Sequence, residues 1–216
     1  RIYCPVSHFS YDDPVIYPDQ PGVAHLHMFW GNTAADAFLK GEEIQNTATA
    51  STCEGGTGNQ SSSWMPAVFN ANDEVVLPEE IIVYYKTFGR PDMRWDQLQE
   101  IPLGLEMLAS SDTLNYAPWI KLGPQYVGSR LHLQLEFPSC VATDDGTRTG
   151  APILKYRDMP GAAASVPNSH VAYPGGPNEN SVGCPASHPY RFATVTFEVR
   201  YDASEVGSDP YISSDR

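Results

Sequence analysis

Five of the six histidines stand in settings where chemistry is often assembled: Ser-His pairs in Pro-rich segments, or a His-x-His run. Ser7-His8 is followed by Asp12-Asp13-Pro14 and then by His25-Leu26-His27. Far downstream come Ser169-His170 with Tyr173, and Ser187-His188-Pro189. An extended His-Leu-His run puts both imidazoles on one face, with side chains roughly 7 Å apart along the strand, while Leu26 and Met28 turn to the core. Two imidazoles so placed can chelate one divalent transition metal, or one can act as a base beside a second polar group. Asp12 or Asp13 can orient an imidazole, ligate a metal or serve as a general acid, although Asp before Pro also starts turns. Tyr173 exchanges a proton only if its phenol pKa falls from about 10. The catalytic candidates are therefore His25, His27, His170, His188, Asp12, Asp13 and Tyr173. His25 and His27 are also the metal candidates, and His8, Trp30, Asn32 and Arg191 the substrate-binding ones.

His132 alternates with Gln134 and Glu136 and reads as a sheet-face residue. Trp30, Trp64, Trp95 and Trp119 can stack on sugar rings, although burial is the commoner fate of an indole. A Gly-x-Ser-x-Gly elbow, a P-loop, a dinucleotide fingerprint and a His-Glu-x-x-His motif are all missing from the sequence.

Strands are the elements best placed to carry these residues. In residues 191–201, Ala193, Val195, Phe197, Val199 and Tyr201 alternate with Thr194, Thr196, Glu198 and Arg200. In residues 130–137, Leu131, Leu133, Leu135 and Phe137 oppose His132, Gln134 and Glu136. Residues 79–88 are rich in β-branched and aromatic side chains, and 25–32 and 62–70 read as shorter strands. Short helices are expected over 34–44, after Asn32-Thr33, and over 94–101, with a turn around 104–108. The stretch 144–177 is loop-like. The reading is a mainly β fold, an antiparallel, jelly-roll-like sandwich with long loops and a few short helices. Residues 1–204 form one domain, and 205–216 an acidic tail expected to fray.

Composition narrows the setting. The 216 residues include 19 Pro and 17 Gly, which implies turns and ordered loops. The net charge of −13 repels phosphate backbones and anionic membranes, so nucleic acid is excluded as a partner. No run reaches the roughly 20 apolar residues of a membrane helix. The chain opens at Arg1 without a signal peptide and reads as a mature or trimmed product. Cys4, Cys53, Cys140 and Cys184 are widely spaced, which fits two disulfides in an oxidising compartment. Three pairings are possible, of which Cys4 with Cys53 and Cys140 with Cys184 is preferred. Asn59-Gln60-Ser61 is a glycosylation sequon.

The blocks CPVSHFSYDDPVIYPDQPGVAHLHMFWGNT, STCEGGTGNQSSSWMPAVFN, EEIIVYYK, SHVAYP and CPASHPYR occur in the order found in a secreted fungal and bacterial family. The chain resembles that family, catalogued as domain of unknown function nineteen-ninety-six, from about Cys4 to Tyr201. It departs from the usual run at Asp19, Ala24 and Trp30. The resemblance implies an extracellular or cell-wall protein whose relatives are joined to carbohydrate-binding modules, hence a polysaccharide or cell-wall glycan as partner. The expected function is a glycan hydrolase or lyase with a His- and Asp-lined site. The alternatives are a glycan-binding module and an assembling structural protein.

Overall fold

Alternation in the sequence becomes strand in the structure wherever one face is buried. The computed structural model describes residues 1–41, 44, 50–87, 95–109, 125–175 and 183–215. Thirteen strands are assigned among them: β1 (Ile2–Tyr3), β2 (Val6–Ser10), β3 (His27–Gly31), β4 (Ser62–Pro66), β5 (Val68–Phe69), β6 (Glu80–Lys86), β7 (Gln125–Val127), β8 (Arg130–Glu136), β9 (Cys140–Val141), β10 (Val171–Ala172), β11 (Tyr190–Arg191), β12 (Thr194–Asp202) and β13 (Tyr211–Ile212). They form a five-stranded sheet ordered β1-β6-β12-β8-β7, two three-stranded sheets, β2-β3-β4 and β10-β9-β11, and the pair β13-β5. The fold is mainly β and antiparallel, as the sequence predicts.

The chain divides into two compact units. The first comprises Arg1–Val83, Leu122–Gln134 and Phe197–Arg216, and the second Tyr84–Lys121 and Leu135–Thr196. In the first, β3 is buried along its whole length. Trp30 reaches Phe197 of β12 edge-on, with ring centroids 5.0 Å apart. That contact joins the β2-β3-β4 sheet to the five-stranded one. Met28, Met65, Ile81 and Ile82 add to this core, and each fully buried apolar side chain contributes roughly 1.5–3 kcal/mol. The second unit centres on two small clusters, Cys140, Ala172 and Cys184, and Val141, Val171 and Phe192.

Several expectations need correction. Residues 34–41 turn rather than coil into a helix, because Asn32 accepts from the Ala34 N–H and Asp36 from the Phe38 N–H. These side chains take the main-chain donors that a helix would use. In the second predicted helix only Trp95–Gln97 forms a single 3-10 turn. Residues 42–43, Arg94 and Trp119, on which parts of these readings fall, lie outside the described residues. Glu136 was assigned to a solvated face and is instead 5 % exposed. The C-terminal segment forms the α-helix Ala203–Val206 (α1), and β13 then pairs Tyr211 with Phe69 and Ile212 with Val68. The expected fraying is countered there by a stack of Phe69 on Tyr211 at 5.1 Å.

Gly31 ends β3 at a φ of 85°, and a Cβ there would overlap the Ser61 carbonyl oxygen. Gly22 has a similar φ of 77° with open space around it. Gly31→Ala is therefore expected to cost roughly 2–4 kcal/mol, and Gly22→Ala about 1 kcal/mol. Urea unfolding of both variants measures the difference, and equal losses would show that the overlap is relieved.

Candidate functional site

The first unit builds its polar site on one face of the β2-β3-β4 sheet. Register places His8, Phe29 and Trp64 opposite one another on three adjacent strands, and Ser10, His27 and Pro66 in the next position along. His8 stacks on Phe29 at 4.8 Å, Trp64 stacks on it from the other side at 5.6 Å, and His27 meets it edge-on at 6.2 Å. His25 precedes the strand, exposed to solvent, with its ring centroid 4.3 Å from that of His27. The alternation of His25 and His27 thus brings the two imidazoles together.

Hydrogen-bond chemistry fixes the tautomers, because a carbonyl only accepts. His27 Nδ1–H donates to the Asp12 carbonyl at 2.7 Å, which leaves the lone pair on Nε2. The ring itself is buried, with 3 % of the residue exposed. Burial lowers the His27 pKa, against the raising effect of the Asp12 bond, and His25 lowers it further. His8 carries the opposite tautomer: Nε2–H donates to the Ala35 carbonyl at 2.9 Å, and the Ser7 hydroxyl donates to Nδ1 at 2.9 Å.

The carboxylates expected to do chemistry serve the loop. Asp12 accepts from the Gly22 N–H at 2.9 Å and the Ser10 hydroxyl at 2.7 Å. One oxygen of Asp13 accepts from the N–H groups of Val15 and Ile16. Asp12 orients His27 through its main-chain carbonyl, not its carboxylate. Trp30 and Asn32 are fully buried and present nothing to a substrate. Asn59, in the sequon, is half-buried and donates its amide to the Glu54 carbonyl.

In the second unit the histidines are sealed in. His170 is fully buried and donates from Nε2 to the Glu106 carbonyl at 2.7 Å. His188 donates from Nε2 to the Ser169 carbonyl at 3.0 Å and accepts from Ser187 at 2.9 Å, repeating the arrangement at Ser7-His8. Burial holds His170 down at about 4, with His188 lowering it further, and lowers His188 too. Tyr173 spends its hydroxyl on the Glu136 carbonyl at 2.7 Å, in the interior. Arg191 is fully buried and donates to Ser139 and Thr194. Among the described residues no three His, Cys, Asp or Glu side chains are grouped to hold a metal.

The disulfides are Cys4–Cys53 and Cys140–Cys184, the preferred pairing, and they use all the cysteines. Compared with known families, residues 13–215 match the model described as Domain of unknown function (DUF1996). The chain belongs to that family. No curated protein and no solved structure matches it. The matched span contains His25, His27, His170 and His188 but begins after His8 and Asp12. Family membership and the two disulfides make this a secreted protein. No helix among the described residues is long and apolar enough to cross a membrane.

One group that alternation hid is Glu136, whose carboxyl burial pushes up to about 7 despite Lys86 and Arg191. Its effect on stability opposes that of His170. From pH 6.5 down to about 4 the unfolded chain binds a proton at His170 that the folded one refuses, so stability falls with acidification. From pH 4.5 up to about 7 folded Glu136 keeps a proton that the unfolded chain has lost, so stability falls with rising pH. Each contributes a slope of at most about 1.4 kcal/mol per pH unit, and the two oppose each other in the shared window. Glu136→Gln is expected to steepen the loss of stability between pH 6.5 and 4.5. Urea titrations across that range test this, and an unchanged slope would mean that Glu136 does not titrate there. Nitrogen-15 spectra of the imidazoles should likewise show Nε2–H at His8, His170 and His188 and Nδ1–H at His27, and a uniform pattern would contradict the assigned bonds.

Proposed function

We propose that this secreted protein acts on extracellular polysaccharide at the His25–His27 pair. One observation carries the reading: His27 is held by Nδ1–H on the Asp12 carbonyl, so Nε2 keeps its lone pair next to the exposed His25 ring. An imidazole anchored through one nitrogen presents the other as a base or a metal ligand. The lowered pKa keeps that lone pair available in a mildly acidic medium. His170 and Tyr173 are fully buried, His188 is bonded at both ring nitrogens, and Asp12 and Asp13 hold the loop, which leaves these two rings of the catalytic candidates.

The net charge of −13 disfavours an anionic polymer, which makes hydrolysis of a neutral glycan the preferred reaction over elimination from a uronate. In that reaction His27 Nε2 takes a proton from a water molecule while the water oxygen bonds to the anomeric carbon. The glycosidic C–O bond breaks as its oxygen receives a proton from the His25 side. A divalent transition metal on the two imidazoles is the other use of the same lone pairs, supplying a more acidic water. Glycan binding without turnover is the second reading, favoured by the engagement of the Asp12 and Asp13 carboxylates with the loop instead of with the pair.

The test uses protein purified without added metal, incubated with soluble β-glucan and xylan while reducing ends are measured. Wild type is expected to release them, and His25→Ala with His27→Asn to lower the rate roughly 10²-fold or more. Asn at 27 keeps a donor for the Asp12 carbonyl and so preserves the fold. Elemental analysis of the same samples decides between the metal and metal-free forms. Retention of glycan without product would leave the binding reading, and neither retention nor product would sink both.

A further inference from the structure

Of the four tryptophans, the described ones meet three different fates. Trp30 is sealed in the core, Trp64 is half-buried against Phe29, and Trp95 leaves 59 % of its surface open to solvent. An indole is the side chain a fold gains most from hiding, so its display on the surface asks for a reason.

The backbone beneath Trp95 is tightly held. The Trp95 carbonyl accepts from the Leu98 N–H at 3.1 Å, which closes the 3-10 turn. Leu98 packs on the cluster that contains the Cys140–Cys184 disulfide. Gln99 donates its N–H to the Arg191 carbonyl at 2.8 Å and its side-chain amide to the Arg148 carbonyl at 2.8 Å. Arg148 in turn donates to the Gln97 carbonyl. A turn anchored to a disulfide, a strand and an arginine therefore carries an uncovered aromatic ring. Stacking against a flat ligand then orders little that is not already ordered.

The surroundings select the ligand. Asp96, Gln97 and Glu100 are exposed on the same segment, and their side chains are polar. The two carboxylates, in a chain of net charge −13, repel uronates and sulfated sugars. What fits an apolar ring flanked by acids is a neutral pyranose, with a C–H face for the indole and hydroxyls for its neighbours. We infer that Trp95 is the stacking platform of a neutral-glycan-binding site on the second unit. This inference rests on the glycan reading above but not on the histidine pair, since it assigns binding to a different surface.

Affinity electrophoresis of the full chain through gels containing β-glucan, xylan or polygalacturonate provides the test, with Trp95→Ala and Trp95→Phe alongside. Wild type should be retarded by a neutral polymer and not by polygalacturonate. Trp95→Ala should weaken that retardation about tenfold and Trp95→Phe by only a few-fold. The exposed position predicts an unchanged melting temperature for both Trp95 variants, which separates lost contact from lost fold. Equal retardation of wild type and Trp95→Ala overturns the Trp95 site while leaving the glycan reading standing. Absence of retardation by every polymer, together with absence of product, overturns the glycan reading and this site with it.

Discussion

Main-chain carbonyls in the long Pro- and Gly-rich loops have to find donors once the loops pack down, since a buried carbonyl without one costs about 1–3 kcal/mol. This chain meets that requirement with imidazoles. His8, His27, His170 and His188 each give a ring N–H to a carbonyl, from Ala35, Asp12, Glu106 and Ser169 in turn. The carbonyls lie 27, 15, 64 and 19 residues away in sequence, so each imidazole ties one segment of loop to another. A neutral imidazole has a single N–H, and the bond it makes decides which nitrogen retains a lone pair. The chemistry open to a histidine is thus a by-product of the loop it supports.

The same reasoning separates the histidine pair from the rest. His8 and His188 receive a serine hydroxyl on the second nitrogen and are saturated. His170 is enclosed in the interior. His27 alone of these four combines an anchoring carbonyl with a neighbouring exposed imidazole, and the loop that holds it is itself held by Asp12 and Asp13. Positioning and reactivity fall to different atoms of the same short segment: carboxylates fix the loop, a carbonyl fixes the ring, and the buried ring lies beside the exposed His25.

Much of the β architecture was legible because a period of two reports directly on burial. Residues 197–202 alternate in the structure as in the sequence, and β3 follows from a run of large apolar residues. The reading failed where burial ceased to follow the pattern. Glu136 continues the polar series of His132 and Gln134 but lies at the end of β8, where both faces are covered. The helix expected after Asn32 has the right apolar spacing, but short-range bonds from Asn32 and Asp36, invisible to periodicity, take its donors. For the site, residue type identified the histidines and the register of His25 with His27. It said nothing of which nitrogen each ring exposes, because that depends on carbonyls brought in from elsewhere in the chain. Nor did four equivalent tryptophans in sequence disclose that Trp30 is core and Trp95 surface.

The two disulfides close loops that follow one another along the chain without nesting or interlacing, with sequence separations of 49 and 44. For a polypeptide entering an oxidising compartment from its N-terminal side, Cys4 and Cys53 arrive before Cys140 and Cys184. The Cys4–Cys53 cross-link can therefore form before Cys140 and Cys184 are there to compete with it, which leaves those two to each other. Order of emergence alone favours the native pairing over the two scrambled ones, so oxidative maturation of this chain has little need for later reshuffling.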